Sequence, residues 1–327
     1  MTRRTSARIA LTMCALFALS APAFAQIDLS GSWTTRLHED WMERCCGRDL
    51  ADYTGIALTD EARAKALAWD ASQNSLRERQ CMLFSPWTIQ FQPNGMRIWS
   101  EVDQSGDIIA WKISGHAQRD IVTIWMDGRP HPSPNAFHPF SGFTTGRWEG
   151  DTLVARTTHM KATALRRSNG MPKSDQATMT IYLTRHDDLL TVVTIDEDPH
   201  YLAEPLFISR TFQLDPRGNI AVWDECWAVT EIPRLEGSGI VPSYLPGENP
   251  SRTDIADTYH IPQEAAMGYA ETLYPEFRNK LKNTYKAPEA CGKYCCGWLS
   301  VAGGSANPAP TLTCNDSGKG TVNQSGK

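Results

Sequence analysis

The chain has 327 residues, with 37 acidic and 32 basic side chains and a net charge of −5 at neutral pH. Hydrophobic residues make up 41% and charged residues 21%, which excludes a wholly disordered chain. The acidic balance argues against a nucleic-acid scaffold or a polybasic membrane binder, and the length allows one large domain or two small ones.

Residues 1–25 read as an export signal. Arg3, Arg4 and Arg8 precede the apolar run Ile9–Leu19, which is too short to span a bilayer, and Ala23-Phe24-Ala25 supplies a cleavage site before Gln26. The expected location is therefore periplasmic or secreted, with no integral membrane segment after cleavage. Removing three arginines and no acids takes the net charge from −5 to −8.

The mature chain opens with a strand at Asp28-Leu29-Ser30-Gly31-Ser32-Trp33. Thr59-Asp60-Glu61 then starts an inserted helix near 59–69, with acids in the first turn where the helix dipole favours them. From about Pro86 the pattern turns to period two. The predicted strands are Trp87–Gln92, Met96–Glu101, Ile108–Ile113, Val122–Met126, Thr145–Trp148, Thr152–His159, Ala177–Thr184, Leu189–Asp196 and Phe207–Leu214. Turn chemistry separates them, as at Asn94-Gly95, Glu149-Gly150-Asp151 and His186-Asp187-Asp188. About ten short strands with mostly hairpin-length connections predict a mainly β protein. The expected form is a single up-and-down antiparallel barrel, which removes exposed edges. The barrel domain spans 26–233. Segment 234–286 supplies a Gly/Pro/Ser-rich linker and two helices packed on the barrel, the second starting near Pro275. Residues 287–327 form a cysteine-bearing, mostly disordered tail.

Eight cysteines follow the leader: Cys45, Cys46, Cys81, Cys226, Cys291, Cys295, Cys296 and Cys314. An even number in an exported chain predicts disulfides. Cys81 is expected to pair with Cys226, and at least one bridge should tie Cys45-Cys46 to the C-terminal tail. Paired C-x₂-C spacing is missing, so no metal is expected. No nucleotide-binding glycine loop and no Gly-x-Ser-x-Gly elbow is present, and no cofactor is expected.

The chemistry concentrates between Trp125 and Lys161. His131 and His138 lie beside prolines that fix the local backbone. His159 continues the face formed by Leu153, Ala155 and Thr157, which predicts a strand end turning into a pocket. Together with the carboxylates Glu149 and Asp198, the three histidines are the candidate acid–base residues. Trp125, Trp148, Arg129, Lys161 and Tyr201 are the candidate ligand contacts. The run Asp196-Glu197-Asp198 ends a strand with acids close enough to raise one another's pKa; its plainer interpretation is a solvated acidic loop.

These segments resemble a largely uncharacterised group of exported bacterial proteins with a lipocalin-like barrel. The likeness rests on Asp28–Trp33, His38-Glu39-Asp40-Trp41, Ile124–Pro132, the run Gly146-Arg147-Trp148-Glu149-Gly150-Asp151-Thr152-Leu153-Val154, Thr157-Thr158-His159, Asp198-Pro199-x-Tyr201 and Tyr274-Pro275-Glu276. It covers about residues 28–285. The cysteine pair at 45–46 and the cysteine-bearing tail depart from it. The resemblance implies a barrel and export, and assigns no catalytic residues.

Three functions remain open at this stage. The first is periplasmic binding of a small apolar or amphipathic molecule in a barrel cavity. The second is a barrel enzyme doing acid–base chemistry as an isomerase, lyase or hydrolase. The third is a structural module, favoured by a barrel filled with its own side chains. The expected partner is a small molecule and not a nucleic acid.

Overall fold

A computed structural model describes residues 27–36, 53, 55–70, 72–73, 76–82, 86, 95–115, 120–166, 169–218, 227–228, 244–259, 261–284, 312–314 and 320–322. The expected leader, the expected strand 87–92, most of the linker and Cys45, Cys46, Cys226, Cys291, Cys295 and Cys296 lie outside the described residues. Cys81 is disulfide-bonded. The backbone of Cys314 ends a short strand.

In chain order the strands are β1 (Gly31–Thr35), β2 (Met96–Val102), β3 (Ile108–Gly115), β4 (Val122–Trp125), β5 (Phe143–Glu149), β6 (Thr152–Thr158), β7 (Thr163–Arg166), β8 (Met171–Lys173), β9 (Thr178–His186), β10 (Leu189–Glu197), β11 (Leu206–Leu214), β12 (Leu312–Cys314) and β13 (Gly320–Val322). Nine of them close a barrel in the order β1-β11-β10-β9-β6-β5-β4-β3-β2. The expected barrel is therefore present. All its neighbours are antiparallel except β4 and β5, which run parallel through the pairs Ile124↔Thr144 and Trp125↔Thr145. A parallel join needs a connection that travels back along the strand. Residues 126–142 make that return as a strap, which the alternation of side chains does not reveal.

Alternation sets which side chains enter the barrel. In β9, Met179, Ile181 and Leu183 are buried while Thr178, Thr180 and Tyr182 are only partly so. Register carries this phase around the wall: Leu153↔Leu183, Leu183↔Val192, Leu190↔Phe212 and Trp33↔Leu214. The inward side chains from Trp33, Met96, Ile98, Trp111, Ile113, Ile124, Leu153, Ile181, Leu183, Val192 and Phe212 make one apolar core inside the barrel.

A second core covers one end. It joins Tyr53, Ile56 and Leu58 to α1 (Asp60–Leu67), the β7–β8 hairpin, Met179, Leu202 and Tyr269. Thr59 caps α1 by accepting from the Ala62 amide at 3.3 Å, and Ala62 and Ala66 face the core. Tyr53 stacks on Tyr269 with ring centroids 4.9 Å apart, and Arg63 grips Glu271 with two bonds of 2.8 and 2.9 Å. The helices α2 (Arg77–Gln80), α3 (Asp254–Tyr259), α4 (Gln263–Ala266) and α5 (Pro275–Thr284) follow, with Pro275 opening α5 as expected. No helix among the described residues is long and apolar enough to cross a membrane.

Gly146 shows how tightly the barrel interior is filled beside β4. It faces inward from β5, and a Cβ there would stand 2.6 Å from Ile124 Cγ2 and 3.2 Å from Leu153 Cδ1. Its place in the Gly146–Val154 run is thus explained by packing. Gly146→Ala should lower stability by about 1–3 kcal/mol through overpacking, read as the urea midpoint. An unchanged midpoint would mean that the interior has room at this level.

Candidate functional site

The three histidines meet, but not inside the barrel. Thr144 and Thr157 face the interior, so their neighbours Thr145 and Thr158 face outward. His131, carried by the strap, lies against that outer wall. Its Nδ1 is 2.7 Å from Thr158 Oγ1 and its Nε2 is 2.9 Å from Thr145 Oγ1. His159 Nδ1 approaches the same Thr158 Oγ1 at 2.7 Å, and its Nε2 donates to the Ser133 carbonyl at 2.9 Å. His138 donates from Nδ1 to the Met160 carbonyl at 3.3 Å, and its ring centroid is 5.0 Å from that of His159. Burial, then His159 and Arg156, hold the His131 pKa below its ordinary value.

This corrects the expected position of His159. Leu153, Ala155 and Thr157 do point into the barrel, but β6 ends at Thr158 and His159 takes φ +56. A left-handed residue breaks the strand's two-residue phase. The ring swings out beside Thr158 and never reaches the interior.

The other candidates are scattered. Glu149 pairs with Arg147 on the rim. It is four residues beyond Thr145, roughly 13 Å along the strand at ~3.3 Å per residue. Asp198 spends its carboxylate on four donors: Ser174 N at 2.7 Å, Ser174 Oγ at 2.8 Å, His200 N at 3.0 Å and Tyr201 N at 3.2 Å. It organises a loop and does not face the histidines. Trp125 points outward under the Arg129 guanidinium, 3.6 Å from its ring centroid, and Arg129 is ion-paired to Asp127. Lys161 lies over Phe140 at 4.7 Å. Tyr201 hydrogen-bonds Lys65 of α1. Trp148 alone of the expected ligand contacts turns inward, packing on the barrel core with its buried indole N–H lacking a partner.

What the structure does assemble is a polar belt between the two cores. Thr144, Thr157, Thr194, Asp196 and Arg210 are all inward-facing and buried. Thr144 and Thr157 bond each other at 2.8 Å. Asp196 is different: both of its carboxylate oxygens are buried and neither has a hydrogen-bond partner. Burial pushes its pKa up to about 8, against the attraction of Lys173 and with a small push from Asp198. Lys173 is buried beyond the barrel end, donating to the Lys161 carbonyl at 2.9 Å and the Ser174 carbonyl at 3.2 Å. Burial pulls it down to about 8, opposed by Asp196, Asp198 and Asp175.

The sequence held one signal for this site. Asp196 is in phase with Leu190, Val192 and Thr194, the inward positions of β10. An acid at a core position marks a buried carboxyl, whereas its neighbours Glu197 and Asp198 made the run look like a solvated loop. Lys173 carries no such signal, because Met-Pro-Lys does not announce a strand.

A groove of about 320 Å³ opens at the same end, between segments 55–57 and 204–206 and the side chains of Ala270, Leu273 and Tyr274. Leu206, part of its wall, is the register partner of Asp196. Comparison with protein-family models, with curated proteins and with solved structures finds no match.

Asp196 gives the site a measurable pH signature. The folded carboxyl keeps its proton to about pH 8, whereas an unfolded aspartate loses it near ~3.9. Between these values the folded state binds the extra proton, so stability falls as pH rises. Lys173 acts oppositely between about 8 and ~10.4, where only the unfolded chain is protonated. Asp196→Asn should remove the first slope. Its stability relative to wild type should grow by up to ~1.4 kcal/mol per pH unit from about pH 4 to about pH 8. Parallel stability curves in urea titrations across that range would show that Asp196 is ionised in the fold.

Proposed function

We propose that the protein binds a small amphipathic molecule at the polar belt, beyond the apolar core that fills the barrel, with Asp196 as its polar anchor. The observation that carries this is the buried, unpartnered carboxyl. A polar group without a partner costs about 1–3 kcal/mol, and natural structures retain few of them. A bound molecule that supplies the missing hydrogen bond offsets this cost. With its pKa at about 8, Asp196 is mainly neutral at pH 7 and can both donate and accept. That chemistry selects an uncharged hydroxyl, carbonyl or amide group on an otherwise apolar body. The surrounding side chains, Met179, Leu206 and Ile208, suit such a body. Leu206, the register partner of Asp196, also bounds the groove at this end.

The expected leader and the even cysteine count support placing this activity in an oxidising compartment outside the cytoplasm. So does the likeness to exported barrel proteins carried by the Gly146–Val154 run.

A second function is favoured by one observation: Asp196 and Lys173 both titrate at about 8, the range that acid–base chemistry at neutral pH requires. If the barrel is an enzyme, these two groups carry its proton transfer, because the hydrogen bonds of the outer-wall histidines hold the strap.

Native mass spectrometry of protein purified from its own periplasm tests the binding. Wild type should carry one small non-covalent adduct and, once stripped, take up about one neutral naphthylamine fluorophore per chain. Asp196→Leu should lower affinity for the natural adduct by about tenfold, the equivalent of ~1.4 kcal/mol. A wild-type barrel that carries no adduct and takes up no fluorophore contradicts the proposal.

A further inference from the structure

From the outer-wall geometry we infer that His131, His138 and His159 form a proton-operated clasp that holds the strap 126–142 on the barrel and releases it on acidification.

The hydrogen bonds permit one arrangement when the rings are neutral. The Ser133 carbonyl only accepts, so His159 carries its proton on Nε2 and leaves Nδ1 as an acceptor. Thr158 then donates its hydroxyl proton to His159 Nδ1 and accepts from His131 Nδ1. His131 Nε2 is left to accept from the Thr145 hydroxyl. Every ring nitrogen of His131 and His159 is satisfied, and the chain Thr145–His131–Thr158–His159–Ser133 ties the strap to β5 and β6.

Protons disrupt this order. A second proton on His159 appears at Nδ1, and Thr158 must turn its own hydrogen away from its acceptor. A second proton on His131 appears at Nε2, and Thr145 must do the same. With both rings charged, two cations share one hydroxyl, and His138 stands 5.0 Å from His159. No carboxylate is among the partners of these rings in the described residues. The charges around the clasp are mostly cationic or already paired. Arg156 of β6 acts on His131, Arg129 is paired with Asp127 at the start of the strap, and Lys161 lies over Phe140. Asp120 is occupied by the Ser141 amide at 3.1 Å.

The lowered pKa of His131 agrees in sign. A base depressed in the fold contributes stability above its unfolded pKa of ~6.5, and that stability is lost as pH falls through the folded value. The strap also reaches the belt's support. The Lys161 amide donates to Pro139 in the strap at 2.9 Å, while the Lys161 carbonyl holds Lys173. Release of the strap therefore loosens one anchor of the lysine that faces Asp196. Phe137, 82% exposed at the strap's tip, adds no packing that would resist it.

Hydrogen exchange read by mass spectrometry tests the clasp in the intact chain, after correction for intrinsic exchange. Between about pH 7.5 and about pH 5, protection of 127–142 should fall about tenfold while β9 and β10 keep theirs. In the double variant His131→Gln/His159→Asn the strap should exchange alike at both pH values. Asparagine is chosen because it tolerates the positive φ at 159. Strap protection that is unchanged by pH in wild type overturns the inference, whether or not the variant folds. So does a strap that still responds to pH in a folded double variant.

Discussion

A carboxyl group walled into a β-barrel without a hydrogen-bond partner cannot keep its charge, and the centre of this protein is arranged around that constraint. Burying an ionised carboxylate without compensation costs far more than a domain can supply, so the group holds its proton instead. Asp196 meets this condition at the end of β10, where the apolar barrel core gives way to the cover over the barrel mouth. A neutral acid in such a place is a buried donor and acceptor beside apolar side chains. The packing around it does not explain its missing hydrogen bonds.

The two apolar cores account for the rest of the architecture. The first fills the barrel with residues such as Trp111, Leu183 and Phe212, and the second seats α1 and the β7–β8 hairpin on Met179 and Leu202. Neither covers the seam between them with hydrocarbon alone. Threonines, Arg210 and Asp196 occupy it. Lys173 stands close enough to Asp196 for each to shift the other's titration. The strap is a consequence of the parallel join between β4 and β5, and its histidines fasten it where a hairpin would have needed no fastening.

Much of the barrel was legible in the amino-acid pattern because alternation records burial directly. Met179, Ile181 and Leu183 on one face, with Thr180 and Tyr182 on the other, leave little choice of period. Strand direction leaves no such trace, so the parallel pair was not readable. The expected strand Thr152–His159 runs one residue too far: β6 ends at Thr158, and a left-handed backbone at His159 turns that side chain to the other face. The histidine cluster was thus foreseen in membership and misplaced in space. Asp196 was visible as an acid in core phase, but its acidic neighbours masked it. Lys173 lies in a three-residue strand whose proline hides its pattern, and its meeting with Asp196 depends on tertiary packing alone.

Infrared difference spectroscopy between wild type and Asp196→Asn, both stripped of bound small molecules, at neutral pH tests the central claim most directly. A neutral carboxyl without a hydrogen bond absorbs as an isolated C=O, well separated from carboxylate bands. The wild-type spectrum should contain that band, it should be missing from the variant, and it should fade as pH is raised through about 8. A wild-type spectrum that differs from the variant only by carboxylate absorption at neutral pH would contradict it.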